Sequence, residues 1–247
     1  MASENQQEEQ QLILPIIDSH IHLFREQDSP NTAWWKPNTG FDGPHSVQQF
    51  KEAAKSSPSL LGFIFIETDM KNTPEPGSTE EYDWTNPLEE VARMSRLALG
   101  KAEEGDGADA EDAKLCLGMV PWAPIPSGPE VMERYISKVQ EVAGDAWPKV
   151  KGFRFLVQDK PHGTMLEDKF IQSLRLLGRK GLVFDVGVDQ HRRGKKQLEE
   201  LLSMIDLAHD GVPEEERVTL IISEYSLHHC SWSNSMYQPA IIERKIC

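Results

Sequence analysis

Residues 12–24 read LILPIIDSHIHLF. An apolar, β-branched run closes on Asp18-Ser19-His20-Ile21-His22. In a strand successive side chains alternate between faces, so Asp18, His20 and His22 are expected to project to one side. Polar groups at the end of a buried strand are costly unless they bind, react or pair. Two imidazoles two residues apart suit one metal ion, and a nearby carboxylate orients or assists them. The competing reading is a strand end carrying two solvated histidines.

Outward from this stretch, apolar strand-like runs recur at 60–67 (LLGFIFIE), 115–121 (LCLGMVP), 149–157 (KVKGFRFLV), 181–188 (GLVFDVGV) and 217–222 (RVTLII). Between them lie helical patterns over 88–99, 130–143, 166–179 and 195–209. In the second, Met132, Tyr135, Ile136, Val139 and Val142 recur at helical spacing, and in the last Leu198, Leu201, Leu202 and Ile205 share a face. Thr164-x-x-Glu167 reads as a capping box and Gly181 as a stop. Continuous apolar strands alternating with amphipathic helices predict a parallel sheet covered by helices.

Such folds place their sites at the C-terminal ends of the strands. The rule selects Asp18, His20 and His22 from the first strand and Glu67-Thr68-Asp69 from the second. From the fourth come Arg154 and Gln158, and from the fifth Asp185 and Asp189, with His191 just beyond. Arg154 lies inside an apolar alternation, and a buried guanidinium needs a carboxylate or carbonyl partner. That partner is either a substrate oxygen or an aspartate of the sheet. Asp185 and Asp189 are four apart and share a face, so one of them positions a substrate hydroxyl or receives Arg154. The run Arg192-Arg193-Gly194-Lys195-Lys196 reads as a solvated helix start rather than a phosphate site.

The chain has 247 residues, 38% hydrophobic and 27% charged, with a net charge of −14. This acidity argues against nucleic acid and anionic membranes as partners. Part of it is local, in the Gly/Ala-rich loop carrying Glu103, Glu104, Asp106, Asp109, Glu111 and Asp112, which reads as a solvated insertion. Three cysteines do not make a disulfide framework. Residues 1–11 are polar and acidic and lack the pattern of a signal or transit peptide, so they are expected to be a disordered leader on a cytoplasmic protein.

The strand-one segment, Lys151-Gly152-Phe153-Arg154-Phe155-Leu156-Val157-Gln158 and Gly181–Asp189 together resemble strands of the amidohydrolase superfamily. The likeness is to its amidohydrolase-related branch, which includes sugar-lactone hydrolases, and especially to fungal L-rhamnono-lactonase-like members. It runs from about Pro15 to Ile222. The implied fold is an α/β, (β/α)8 TIM-type barrel, incomplete, with about six of eight β/α units over residues 12–222. Residues 223–247 follow no lasting period and read as an atypical tail. Ser223-Glu224-Tyr225 can be encoded by an intron-donor-like sequence, which suggests translated intron.

The resemblance implies hydrolysis of a sugar lactone, with His20, His22, Arg154 and Asp185 as catalytic residues and Glu67, Gln158 and Asp189 binding substrate. His20, His22 and Arg154, or a metal, would polarise the carbonyl, and an aspartate on strand eight would activate water. A divalent ion such as zinc would sit on Asp18, His20 and His22. Hydrolysis without a metal is the other option, because Asp185 stands where the family pattern has a histidine ligand. The strand-six histidine is also missing, since Ile221-Ile222 leads into Ser223-Glu224-Tyr225 and His228 and His229 come too late. Strand eight and its aspartate are absent, so impaired activity is expected. The alternatives are a metal-dependent, non-oxidative decarboxylase of the same superfamily, or an inactive fragment. The expected partner is a small-molecule substrate, and the sequence leaves room for a homo-oligomer.

Overall fold

Residues 14–37, 43–55, 57–74, 76 and 81–224 are described in a computed structural model of the chain. Strands and helices alternate in the expected order: β1 (Ile16–Ile21), α1 (Val47–Ala54), β2 (Leu60–Ile66), α2 (Thr85–Ala98), β3 (Cys116–Val120), α3 (Pro129–Ala143), β4 (Gly152–Leu156), α4 (Asp168–Arg179), β5 (Val183–Val188), α5 (Gln190–His209) and β6 (Leu220–Glu224). The strands pair in parallel as two three-stranded sheets, β1-β2-β3 and β4-β5-β6. Bridges Met119↔Val150 and Trp122↔Arg154 join β3 to the β4 segment. All strand C-termini therefore face one way, which gathers the strand-end residues at one rim.

The core is aromatic. Tyr135 stacks edge-on to Phe153 at 6.1 Å, and Phe155, Phe170 and Phe184 continue at 6.2 and 5.9 Å. Phe153, Phe155 and Phe184 sit in β4 and β5, while Tyr135 and Phe170 come from the helices over them, so one layer seals strands to helices. Gly152 lets β4 approach β5, since a Cβ there would lie 2.1 Å from the Val183 carbonyl oxygen.

Four expectations need correction. β1 is not a buried strand: Ile16 and Ile17 are 46% and 50% exposed, because β1 has one paired neighbour among the described residues. The strand expected over 217–222 lies at Leu220–Glu224, starting later and continuing through Ser223 and Glu224. No capping box forms at Thr164, whose hydroxyl donates to the Pro161 carbonyl, and a short 3-10 turn precedes α4. The helix expected over 195–209 begins at Gln190 and breaks at Gly194 (φ 70°, ψ −175°), so the expected helix is its second part. Helix α1, which the apolar pattern had not marked, is capped by Ser46. The leader 1–11 and the tail from 225 on lie outside the described residues.

Candidate active site

Arg154 and Asp185 are register partners across β4 and β5, so their side chains share a face. Arg154 Nε lies 3.3 Å from Asp185 Oδ1, and Nη1 lies 3.7 Å from Glu67 Oε1 at the end of β2. Arg154 and Glu67 are 1% exposed and Asp185 is fully buried. Of the two readings of Arg154, the ion pair is therefore the one found. Ser223 of β6 donates its hydroxyl to both Asp185 oxygens at 2.9 Å.

The histidines lie beside this pair. His20 and His22 meet edge to face, 5.0 Å between centroids. His22 Nδ1 is 3.1 Å from the Ile66 carbonyl oxygen and 2.8 Å from that of Glu67. Two acceptors fix Nδ1 as the protonated nitrogen, which leaves Nε2 with a lone pair. Burial, then the charges of Arg154 and His20, push His22 down to about 4, so it is neutral at neutral pH. With Nδ1 held by these two carbonyls, Nε2 is the His22 nitrogen suited to accept a hydrogen bond. His20 is half-buried; burial and Arg154 lower its pKa while Asp185 and Asp18 oppose them.

Burial raises Glu67 to about 8 against the pull of Arg154, with Asp69 and Glu90 adding to the rise. At neutral pH Glu67 is protonated; burial raises the Asp185 carboxyl as well, while Arg154, the Ser223 hydroxyl and His20 pull it back. Asp69 donates its backbone N–H to Glu67 Oε2.

The sequence of this chain is 31% identical over 191 residues to an L-rhamnono-gamma-lactonase of Scheffersomyces stipitis, across 76% of this chain and 56% of that protein. This relation agrees with the resemblance of the sequence to the amidohydrolase-related branch of the amidohydrolase superfamily. It spans about half the length of that curated lactonase. A crystal structure of a Burkholderia multivorans amidohydrolase with bound HEPES superposes with a TM-score of 0.51 at 19% identity, covering 79% of this chain and 54% of that one. This likeness shows the fold, an α/β amidohydrolase barrel type. No family model matches the chain.

Amidohydrolases invite a metal test. The Nδ1–H of His22 is held by backbone carbonyls, as in a ligating imidazole. The other donors do not follow. Among the described residues no group of three or more His, Cys, Asp or Glu is placed to hold an ion. Asp18 Oδ1 instead accepts the His20 backbone N–H at 3.2 Å, and the Arg154 cation acts on both imidazoles. The expected Asp18, His20, His22 set does not fit a firmly held divalent ion, and no step below runs through one.

The remaining positions divide. Gln158 is buried just past β4, with no hydrogen-bond partner for Oε1 among the described residues. Asp189 is occupied otherwise: it caps α5, accepting from the His191 and Arg192 N–H groups at 2.9 and 3.1 Å, and pairs with Arg192 Nε at 2.5 Å. It does not share the Arg154 centre, and this capping also explains the basic run as a helix start. A cavity of about 1030 Å³ between α1 and the 103–112 loop is lined by Lys51, Glu52, Glu103, Glu104, Asp109 and Asp112, away from the strand ends. It is a mostly acidic groove whose lysine, Lys51, is paired with Asp112 at 2.8 Å.

Two residues of α2 were missed. Glu90 accepts the Thr68 N–H at 3.2 Å, and Arg93 donates to the Leu23 carbonyl at 2.6 Å and lies 3.5 Å from Asp28. Together they fix the chain just beyond His22 and just beyond Glu67. Their signal was available, because positions 90, 93, 94 and 97 share one helical stripe and put Glu90 and Arg93 beside Met94 and Leu97.

Proposed function

We propose that this chain opens a sugar lactone by hydrolysis at the C-terminal rim of β1, β2, β4 and β5. The observation that carries the reading is the buried Arg154 centre, held between Glu67 and Asp185 and set against His20 and His22. A fixed dipole of this kind stabilises developing charge without reorganising. In this reading the lactone carbonyl faces His20, the half-exposed imidazole able to donate. His22 Nε2 accepts a hydrogen bond from a substrate hydroxyl or from water. The buried Gln158 amide orients a second hydroxyl, which would satisfy its Oε1. Asp185, steadied by Ser223, and protonated Glu67 keep Arg154 in place. The six strands are read as consecutive units of an eight-unit barrel, with β1 and β6 as the strands that further units would flank.

The sugar-lactone choice also rests on the relation to the L-rhamnono-gamma-lactonase, of which this chain covers 56%. The test is acid release from L-rhamnono-γ-lactone and related sugar γ- and δ-lactones by the purified chain, with and without added zinc. Turnover that is insensitive to zinc and chelator, and lost in Arg154→Met, supports the reading. Absence of turnover on every lactone contradicts it.

A further inference from the structure

Helix α5 carries a polar residue where its pattern calls for an apolar one. Gln197 stands in one buried stripe with Leu201, Met204 and Ala208 and is itself 2% exposed. The break at Gly194 separates the turn capped by Asp189 from the helix that presents this stripe. A buried amide is costly unless both its ends are bonded, and here both are. Gln197 Nε2 donates to the Val157 carbonyl at 3.1 Å, and its Oε1 accepts the Asp189 N–H at 2.7 Å. One side chain thus joins the chain leaving β4 to the chain leaving β5.

The bond to Val157 bears on Gln158. The Val157 N–H donates to the Gly187 carbonyl at 3.0 Å, which carries the β4–β5 ladder one residue past Leu156. Val157 joins Phe153 and Phe155 in the core, so the alternation persists and Gln158 falls on the face of Arg154. A peptide unit is planar, so a held Val157 carbonyl also holds the plane that contains the Gln158 nitrogen. The direction in which the Gln158 side chain leaves the backbone is set with it. Further ties run from Arg192 to Asp159 at 3.1 Å and from Arg193 to the Lys160 carbonyl, but they act beyond Gln158. Gln158 is 9% exposed, and its Oε1 has no hydrogen-bond partner among the described residues. A fixed, buried acceptor without a donor is completed by a ligand hydroxyl and is left unpaired by a ligand lacking one.

We propose that Gln197 is a positioning residue: through the Val157–Gln158 peptide it aims the Gln158 amide at a substrate hydroxyl, so that the site selects lactones carrying that hydroxyl over lactones without it. The proposal rests on the lactone reading above.

The test measures kcat and KM for wild type, Gln158→Leu, Gln197→Met and Gln197→Glu on the best sugar lactone and on its monodeoxy analogues, with melting temperatures alongside. Methionine keeps the side-chain length and loses both hydrogen bonds. Ionised glutamate keeps an acceptor for the Asp189 N–H and loses the donor to Val157. Wild type is expected to lose about 3–10-fold in kcat/KM on one deoxy analogue, the worth of one hydrogen bond, mostly as a rise in KM. In Gln158→Leu and in both Gln197 variants that penalty should shrink to near one. A clamp that merely stapled two strands would lower the melting temperature and leave the penalty as it was, so folded Gln197 variants that keep it overturn the proposal. Gln158→Leu with the penalty intact overturns it as well, whatever the Gln197 variants do. Failure of both Gln197 variants to fold also counts against it, since the amide would then serve the fold. A wild type that hydrolyses lactones with no deoxy penalty at any position sinks the proposal and leaves the lactonase reading standing. A wild type that turns over no lactone removes that reading, and Gln197's role with it.

Discussion

Replacing Arg154 by methionine leaves Asp185 and Glu67 buried without their cation. Removing one partner of a buried pair costs about 3–5 kcal/mol, so Arg154→Met should lower the urea midpoint by a corresponding amount. A midpoint within experimental error of wild type would mean that the pair is not buried as described. Glu67 adds a pH signature. Its carboxyl is raised to about 8 from 4.5, so the fold binds an extra proton between those values. That contribution is complete below 4.5 and lost as pH rises through about 8. His22 runs the other way, lowered from 6.5 to about 4, so its contribution is present above 6.5 and lost as pH falls through about 4. Glu67→Gln should therefore flatten the loss of stability between about pH 5 and pH 9 while leaving the acid side unchanged. An unchanged alkaline slope in the variant would show that Glu67 does not titrate there.

Element by element, the strands were legible because buried parallel strands are continuous apolar runs, and all six recur in the structure within a few residues of where the sequence puts them. Arg154 and Asp185 were legible as polar interruptions of such runs, although which of them meet depends on register, which a single strand does not carry. Glu90 and Arg93 were less visible because charged residues on a helix usually face water. Ser223 was hidden because periodicity lapses where β6 ends. The close approach of β4 to β5 gives a test at this level: Gly152→Ala forces a Cβ against Val183, and overpacking of this kind costs about 1–3 kcal/mol. Thermal unfolding should show the loss, and an unaltered melting temperature would contradict the pairing register.

At the scale of the whole molecule, the ends of the strand order among the described residues matter most. Ile16, Ile17, Leu61 and Ile222 are exposed at 46%, 50%, 54% and 54%, on strands at or next to the edges of the described sheets. Apolar residues along an unpaired parallel edge favour association. Ile17→Lys with Ile222→Lys should reduce concentration-dependent light scattering while leaving the circular dichroism spectrum unchanged. Scattering that is equally strong in the double variant would place the sticky surface elsewhere. Among the described residues no helix is long and apolar enough to cross a membrane.

The most direct test of the account is a crystal structure of the chain soaked with a sugar lactone or its ring-opened acid. The ligand is expected at the strand-end rim, its carbonyl or carboxyl oxygen at His20 and a hydroxyl on Gln158. Ligand bound only in the groove between α1 and the 103–112 loop, with the rim empty, would contradict it.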